Sequence, residues 1–387
     1  MLDDAGLLLD PTGQELLALS TTATFLWCAL MEGMSTGEIV AAYAESFARD
    51  EATAAAELGA ALLDWAGRGL LAAGAPPARR SPPPAPRRAS ASSSGPTAPA
   101  AARRRYRILG MLFEVGFASE AEADTVDEVL GHFAADGKDV AARAVCAGEA
   151  AGTALWIDGR RHDVAPDVAG LAPMVKHALV AEAVNRYGFA LCVHGAMLRR
   201  GGSALLLPAA PGSGKTCLSL ALAAAGFAWH TDETVLLDGE RLLARGVPAC
   251  PCVKQPAWEL VAPFAPDLPK RRVYRRADGK LVRYPLPPAD PADPALVRAW
   301  PVRWLVFPRY VAEAPAGLVR LDRVEALRRL LAETPAMRVA LDTDFVRRLV
   351  DWIGGIDCYT LAFDAFAPAV AVLDRLAEPR LRSSLAA

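Results

Sequence analysis

The segment from residue 203 to residue 225 places two glycines between an apolar strand-like run and an Ala- and Leu-rich helix-like run. Residues 203–207 read as a short buried strand, and residues 217–225 contain no helix breaker. Gly212 and Gly214 allow backbone conformations that are closed to residues with a Cβ atom, so successive N–H groups can converge on one anionic oxygen. The positive end of the helix dipole would lie at the same point. The segment therefore predicts a phosphate-binding loop and a nucleoside triphosphate site.

The loop supplies two side chains with different roles. Lys215 would reach the terminal phosphates, and the Thr216 hydroxyl would ligate Mg²⁺. Ala209 stands where the commonest form of this loop has its first glycine. The residues that we predict to surround the nucleotide are Ala210, Pro211, Gly212, Ser213, Gly214, Lys215, Thr216 and Cys217.

Two adjacent acids follow the next strand-like run. Residues 227–230 predict a strand, and Asp232 and Glu233 lie at its carboxyl end, where ligands bind in open α/β sheets. Adjacent acids at a strand end point in different directions, so one can hold Mg²⁺ while the other accepts a proton from an attacking hydroxyl. A polar turn without chemistry is the alternative. After the acids, residues 235–243 predict a strand, an Asp-Gly hairpin turn at residues 238–239 and a return strand.

A histidine extends this pattern. His194 and Gly195 close a predicted strand at residues 189–193, upstream of the loop. The order of these motifs resembles HPr kinase/phosphorylase and the related kinases of peptide-biosynthesis clusters. The motifs are the His-Gly pair, the Gly-x-Gly-Lys-Thr loop, the Ala- and Leu-rich helix and the two acids. The resemblance covers residues 106–376 in outline, and its specific motifs lie within residues 194–246.

The resemblance implies a set of roles. ATP would bind in the loop, and Asp232 would deprotonate an acceptor serine beside His194. Glu233 would help Thr216 hold Mg²⁺, and Lys215 would act on the transferred phosphate. ATP and Mg²⁺ are therefore the expected cofactors.

Some positions depart from the family pattern. Leu243 stands where HPr kinases carry a glutamate, while Arg245 and Gly246 persist. The resemblance does not extend to the phosphorolysis signature, which favours a kinase over a phosphorylase. Arg245 and Lys254 are candidate contacts to phosphate or substrate. Because HPr kinases assemble as hexamers, homo-oligomerisation is left open.

Residues 73–105 differ in composition from the rest of the chain. Proline, serine and arginine dominate them, a composition that cannot bury enough apolar surface to fold. They predict a disordered linker between residues 1–72 and residues 106–387. Within the latter part, residues 106–188 precede a catalytic core at residues 189–376. The arginines of the linker could contact RNA, but a solvated tether is the favoured interpretation.

Residues 1–72 predict a compact unit of two strands and three short helices. Apolar runs flank an Asp-Pro-Thr-Gly turn, which is typical of a hairpin. Ser20 can cap the first helix, and Ser35 with Glu38 forms a capping box for the second. Residues 54–68 predict the third helix from the spacing of their apolar side chains.

This order of elements, with Trp27 in the first helix, resembles the winged-helix-like peptide chaperone PqqD and the RiPP recognition elements of peptide-maturation enzymes. In that family a leader peptide adds as a strand to the sheet edge beside the third helix. The resemblance implies a leader-peptide site at Glu15, Leu16, Leu17, Ala18, Leu19, Leu58, Leu62 and Trp65. A winged-helix DNA binder is the alternative, and it is disfavoured because the second and third helices are acidic.

Further elements follow the linker and the acid pair. Residues 106–117 predict one strand, residues 156–160 a hairpin turn and residues 171–187 a long helix. A later strand is expected to end at Pro308. The basic segment at residues 270–276 leads into a second hairpin signal and predicts a loop over the active site, with a solvated hairpin as the alternative.

Composition excludes several classes of protein. The net charge of −2 gives no reason to expect nucleic acid as a partner, and no apolar run approaches the ~18 residues of a membrane span. Seven cysteines form neither a paired framework nor a zinc-ligand spacing. The expected location is the cytoplasm.

Together these patterns predict an α/β P-loop kinase domain of the HPr kinase type, preceded by a small α+β winged-helix-like PqqD domain. The expected function is phosphorylation of a Ser or Thr hydroxyl in a ribosomally synthesised precursor peptide that the N-terminal domain recruits through its leader. Two alternatives remain. One is an ATP-gated peptide chaperone without turnover, and the other is a regulatory serine kinase that acts on a folded HPr-like carrier protein.

Overall fold

The computed structural model describes residues 6–9, 16–71, 101–291 and 293–378. The predicted N-terminal turn and residues 73–100 of the predicted linker lie outside the described residues. Residues 6–71 form two strands and three helices around their own apolar core, as the sequence predicts. These elements are β1 (Leu7–Leu9), β2 (Leu16–Ala18), α1 (Thr21–Met31), α2 (Thr36–Phe47) and α3 (Glu51–Gly67).

Side-chain caps determine where these three helices begin. Ser20 caps α1, and the predicted capping box of Ser35 and Glu38 is present at α2. The third helix begins three residues earlier than predicted, because the Asp50 carboxylate accepts a hydrogen bond from the Thr53 N–H at 2.8 Å. Such caps satisfy N–H groups that have no partner within the helix.

Residues 102–186 form a five-stranded sheet covered by two helices. The elements in chain order are β3 (Ala102–Ile108), β4 (Met111–Phe117), α4 (Glu120–Leu130), β5 (Val140–Glu149), β6 (Gly152–Ile157), β7 (Arg160–Ala165) and α5 (Val168–Arg186). The strands lie side by side in this same order, with β4 and β5 parallel and the other neighbours antiparallel. The sheet therefore ends at β7, which has one free edge among the described residues.

The prediction of one strand over residues 106–117 is wrong. The chain turns back at Leu109 and Gly110, whose φ angles are 51° and 83°. A leucine in the left-handed region is uncommon, so the residue types did not indicate a break at this point. The two strands β3 and β4 form a hairpin instead.

The predicted linker also extends too far. Strand β3 begins at Ala102, and Arg104 forms ion pairs with Glu120 at 2.8 Å and with Asp127 at 2.5 Å. These partners lie on α4, so the last three arginines of the predicted tether, at residues 103–105, belong to the sheet.

A larger mixed sheet contains the predicted phosphate-binding loop. Its first elements are β8 (Leu191–Arg200), β9 (Ser203–Pro208), α6 (Lys215–Ala224), β10 (Ala228–Thr231), β11 (Thr234–Leu237) and β12 (Ala244–Gly246). A three-stranded sheet follows, built from β13 (Val253–Lys254), β14 (Tyr274–Arg275) and β15 (Leu281–Arg283), with the one-turn helix α7 (Trp258–Val261). The hairpin predicted after the basic segment is the pair β14 and β15.

The C-terminal part completes the large sheet. It comprises β16 (Val302–Tyr310), β17 (Gly317–Arg320), α8 (Arg323–Ala332), β18 (Ala336–Met337), α9 (Thr343–Gly354), β19 (Asp357–Phe363) and α10 (Phe366–Ala377). The strand order is β12-β11-β8-β9-β16-β19-β17, with β10 and β18 also paired to β8. Strands β9, β16 and β19 are parallel, so their carboxyl ends meet at one edge.

Alternating side chains of the large sheet pack against helices on both faces. One apolar cluster joins the sheet to α8 and α9, through residues such as Leu330 and Phe345. The other joins it to α6 and α10, through residues such as Leu218 and Leu373. This is the three-layer α/β arrangement. Among the helices of the described ranges, none combines the length and the apolar character that crossing a membrane requires.

Three element boundaries near the site differ from the predictions. Strand β8 does not close at His194 but continues to Arg200, because β11 pairs with its first half and β10 with its second half. The predicted Asp-Gly turn is a wider loop in which the Asp238 carboxylate accepts hydrogen bonds from successive N–H groups up to Leu243. Strand β16 continues through Pro308, where it pairs with β19 alone.

A substitution at Gly246 would test how closely β12 packs against β10. A Cβ atom at this position would lie 2.9 Å from the carbonyl oxygen of His230, a backbone atom that cannot move aside alone. We expect Gly246→Ala to lower the free energy of unfolding by about 1–3 kcal/mol, the usual cost of overpacking, as measured by urea denaturation. Gly202→Ala is the matched control, since nothing lies within 4 Å of its added methyl group. Equal stabilities of the two variants would contradict this packing.

Candidate functional site

The loop between β9 and α6 has the geometry of an anion-binding helix start. Gly212 and Gly214 have φ angles of 95° and 86°, as the motif requires, whereas Ala209 lies outside the left-handed region and needs no glycine. No described side chain caps α6, so its first N–H groups have no side-chain partner. The buried hydroxyl of Ser213 also has no hydrogen-bond partner among the described residues. These donors suit a phosphate group.

The loop lies at the carboxyl edge of the parallel strands. The Tyr310 N–H donates a hydrogen bond to the Ser213 carbonyl at 3.1 Å. A Cβ atom on Gly214 would lie 3.2 Å from the ring of Phe363. The last residues of β16 and β19 therefore pack against the loop. This is the edge of an α/β sheet where ligands bind.

Lys215 and His194 form a pair in which the lysine is buried and the histidine is partly buried. The Lys215 Nζ atom lies 3.0 Å from His194 Nε2, and only 6% of the lysine is exposed. Burial, followed by the charge of Lys215, lowers the pKa of His194. Burial also lowers the pKa of Lys215, although the nearby acids oppose this effect. A neutral imidazole that accepts a hydrogen bond from the ammonium group is the arrangement consistent with both shifts.

Asp232 is a buried acid beside the loop. Only 4% of it is exposed, and its pKa is raised by burial and then by the neighbouring charge of Glu233. Lys176, Lys215 and a hydrogen bond with Thr216 act in the opposite direction. The predicted base therefore lies near the predicted Mg²⁺-ligating hydroxyl.

Glu233 has a partner that the sequence analysis missed. The Lys176 Nζ atom lies 3.1 Å from Glu233 Oε2, and attraction to this lysine is the main cause that lowers the pKa of Glu233 to about 2. Lys176 is itself buried on α5. Burial is the largest single influence on the pKa of Lys176 and lowers it, but the combined attraction of Glu233, Tyr284, Cys252 and Asp232 exceeds this effect and raises the pKa. The sequence signal that could have indicated this partner is a single lysine inside the apolar run at residues 171–180.

The two adjacent acids are thus held in different protonation environments. Burial raises the pKa of one, and an ion pair lowers the pKa of the other. Environments that separate the pKa values of two neighbouring acids are typical of sites where one acid exchanges protons and the other stays ionised.

Oxygen ligands for a hard cation also meet here. Among the described residues, no group of three or more His, Cys, Asp or Glu side chains could hold a metal ion by itself. Mg²⁺ needs no such group, because it is usually bound by one or two carboxylates together with substrate phosphates. Thr216, Asp232 and Glu233 fit that donor set.

The two further basic residues predicted to contact phosphate differ in their placement. The Arg245 guanidinium donates a hydrogen bond to the Tyr187 hydroxyl at 3.0 Å and stacks on its ring, so the prediction that it contacts phosphate is not supported by its partners. The charge of Lys254 contributes to the lowered pKa values of His194 and Lys215. Lys254 therefore lies near the loop lysine, as expected of a phosphate contact.

The predicted leader-peptide residues do not form one exposed surface. Leu58 and Trp65 are each 3% exposed and belong to the core of residues 6–71, with Leu19 also buried and Leu62 half-buried. The large apolar side chain that α3 does expose is Leu63, at 77%. A helix turns its apolar stripe toward its own core, so spacing alone selected core residues.

The residues of the predicted leader-peptide site that belong to a strand lie at a sheet edge instead of in the core. Glu15 lies outside the described residues. Residues Leu16–Ala18 form β2, which pairs with β1 along one edge and has no strand at its other edge within the described residues. An unpaired edge is what strand addition by a peptide requires.

The basic segment before β14 is part of the fold. Tyr274 is buried, and its hydroxyl donates to a Glu128 oxygen at 2.8 Å. Arg272 forms an ion pair with the same glutamate, and Arg271 with Asp267. Because Tyr274, Arg271 and Arg272 have these partners within the protein, they are not available as a nucleic-acid surface. Arg275 and Arg276 line a cleft.

Comparison with known proteins identifies one part of the chain. Residues 6–71 match the family model described as coenzyme PQQ synthesis protein D (PqqD). The N-terminal segment is thus a PqqD domain, which indicates a role in binding peptides during the maturation of ribosomally synthesised peptides. No curated protein matches the chain.

The ion pair of Lys176 and Glu233 predicts a pH-dependent coupling. A lowered carboxyl pKa stabilises the folded protein above the unfolded value of 4.5, and this contribution is lost as the pH falls toward about 2. We expect a double-mutant cycle of Lys176→Met and Glu233→Gln, measured by urea denaturation, to give a favourable coupling at pH 7 that disappears near pH 2 to 3. Lys280→Met with Asp278→Asn provides an exposed ion pair as the control. A coupling that is constant over this range would show that the charge on Glu233 is not what Lys176 stabilises.

Proposed function

We propose that the chain is an ATP-dependent kinase that phosphorylates a Ser or Thr hydroxyl of a ribosomally synthesised precursor peptide. The position of the buried Asp232 near Thr216 carries this proposal, because it places an acid of raised pKa beside the predicted phosphate-binding loop. The PqqD domain supports the choice of a peptide as the substrate.

The proposed nucleotide site lies at the start of α6. The uncapped N–H groups, the Ser213 hydroxyl and Lys215 are the donors that would bind the terminal phosphates of ATP. Mg²⁺ would be held by Thr216 and Glu233, and when bound it would screen the charge of the phosphates. Lys254 would add a further positive charge near this position.

Asp232 is the proposed base. A base should have a pKa closer to the working pH than a free carboxylate, and burial moves the pKa of Asp232 in that direction. Glu233 would stay ionised at all ordinary pH values, because the charge of Lys176 holds its pKa at about 2. This difference supports the assignment of the proton to Asp232 and of the constant negative charge to Glu233.

His194 acts through Lys215 in this proposal. Its neutral ring nitrogen accepts a hydrogen bond from the ammonium group, and this contact fixes the direction of a flexible side chain. His194 is therefore a positioning residue, while Lys215 contacts the phosphates.

The PqqD domain would supply affinity for the leader of the substrate. A peptide bound at one of two linked modules reaches the second site at an effective concentration on the order of mM. Weak contacts to the acceptor segment would then be sufficient for turnover.

Asp232→Asn tests the assignment of the base. We expect the wild-type chain to transfer label from [γ-³²P]ATP to the precursor peptide encoded beside its own gene. The variant should lose at least a hundredfold in kcat, the usual contribution of a general base, while its affinity for MgADP stays within a few-fold in calorimetry. Asp139→Asn changes an exposed carboxylate and is the control.

Two results would count against the kinase. One is a wild-type chain that binds MgATP and the precursor but transfers no label, which would favour an ATP-gated peptide chaperone. The other is a variant that retains full activity, which would remove Asp232 from the reaction.

Recruitment through the leader gives a separate prediction. With the full chain, we expect kcat/KM to be at least tenfold higher on the complete precursor than on the same core peptide without its leader, because binding at residues 6–71 raises the local concentration of the acceptor. An excess of isolated leader peptide should raise the KM of the precursor and leave the KM of the leaderless core unchanged. Equal values of kcat/KM for both substrates would instead favour a kinase that recognises its acceptor directly, as a carrier-protein kinase does.

A further inference from the structure

A long cleft lies beside the acid pair and outside the phosphate-binding loop. It has a volume of about 760 Å³ and is bounded by one stripe of α5, by the end of β7 and its turn into α5, and by the turn between β14 and β15. Glu233 and Thr234 line it, whereas the loop residues 209–216 do not. The cleft therefore approaches the acids from a side that the nucleotide loop leaves open.

The stripe of α5 sets the length of the cleft. The lining residues recur at spacings of three and four from Gly170 to Asn185, which is one face of the helix. Fifteen residues at 1.5 Å each give about 22 Å. An extended chain rises about 3.3 Å per residue, so the cleft matches six or seven residues of an extended peptide.

Glu233, the neighbour of the buried Asp232, lines the cleft midway along this length. Glu233 is held at Lys176, which lies between the two ends of the helical stripe. A peptide in the cleft would have residues on both sides of the point where a hydroxyl reaches the acids. This is the arrangement that an internal Ser or Thr of a longer peptide needs.

The walls combine apolar side chains with two polar side chains, an imidazole and a guanidinium group, that have no partner within the described ranges. Val180, Ala181 and Val184 supply apolar surface along the helix. The side chains of His177 and Arg275 are exposed and form no hydrogen bond or ion pair with any other residue of the described ranges. Neighbouring Arg276 is by contrast paired with Asp278. An unpaired arginine favours a carboxylate as its partner.

We propose that this cleft binds the acceptor segment of the peptide in an extended form, with an acidic side chain of the peptide at Arg275 and an apolar side chain against Ala181. This inference rests on the proposed kinase function and adds to it the chemical class of the acceptor sequence. The free edge of β7, whose residues Asp163–Ala165 line the cleft, provides main-chain groups to which an extended peptide can bind.

The test uses the full chain and a positional-scanning library of nine-residue peptides with a central serine. With MgATP, we expect labelling to favour Asp or Glu at one fixed position and apolar residues near the serine. Arg275→Glu should reduce labelling of the acidic pools at least tenfold and increase labelling of the pools with Lys or Arg at that position. Ala181→Trp should abolish labelling of all pools, because the indole would fill the cleft, while MgADP binding by calorimetry stays unchanged.

Two controls separate the cleft from general damage to the protein. Arg347→Glu reverses an exposed charge on α9, and Ala181→Ser keeps the cleft open. Both should retain the wild-type pattern. An acidic preference that survives Arg275→Glu, together with full labelling by Ala181→Trp, would overturn the cleft while leaving the kinase intact.

A binding measurement distinguishes failure of the cleft from failure of the kinase. Fluorescein-labelled pools of the same library are titrated without nucleotide, with anisotropy as the readout. Binding that Ala181→Trp abolishes, in a wild-type chain that labels no pool, would support the cleft and reject the kinase. A wild-type chain that neither binds nor labels any pool would overturn the cleft.

Discussion

The site depends on how the protein compensates for gathering five ionisable groups, three of them buried, in one small volume. Removing a charge from water is costly unless an opposite charge or a hydrogen bond replaces the solvent. Lys176 and Glu233 compensate each other at 3.1 Å, and Lys215 donates to the neutral ring of His194 at 3.0 Å. Asp232 forms no ion pair within the described part of the chain, and burial outweighs the attraction of Lys176 and Lys215 and raises its pKa. The different environments of the two acids follow from this distribution of partners.

Strand β8 provides the scaffold that brings these groups together. It is long enough to pair with β11 before His194 and with β10 after it, while β9 lies along its other edge and leads into the loop. The acids occupy the short connection between β10 and β11, so they must lie beside His194 and the loop lysine. Helix α5 then supplies Lys176 from a different part of the fold, where it covers both the small sheet and the acid pair. The same helix forms the wall of the cleft.

The two parts of the chain would recognise different features of a peptide. Residues 6–71 have the peptide-binding role, and residues 194–254 carry the proposed chemistry. A peptide that adds as a strand to a sheet edge binds through main-chain contacts, and such contacts carry little information about the acceptor sequence. Selection of the acceptor residue would then depend on the second unit. A cleft beside Glu233 with an unpaired arginine and an apolar helical wall offers the kind of local recognition that the first domain does not supply.

The sequence by itself determined the features that depend on neighbouring residues. The capping box at Ser35, the glycine loop at Gly212 and Gly214, the strand and helix around it and the PqqD pattern were all readable, because caps, turns and periodicity are local. Only the tertiary structure decided the partner of Glu233, the core position of Trp65 and the continuation of β8. These depend on contacts between elements that are far apart in the chain, and the burial that shifts the pKa values exists only once those elements pack.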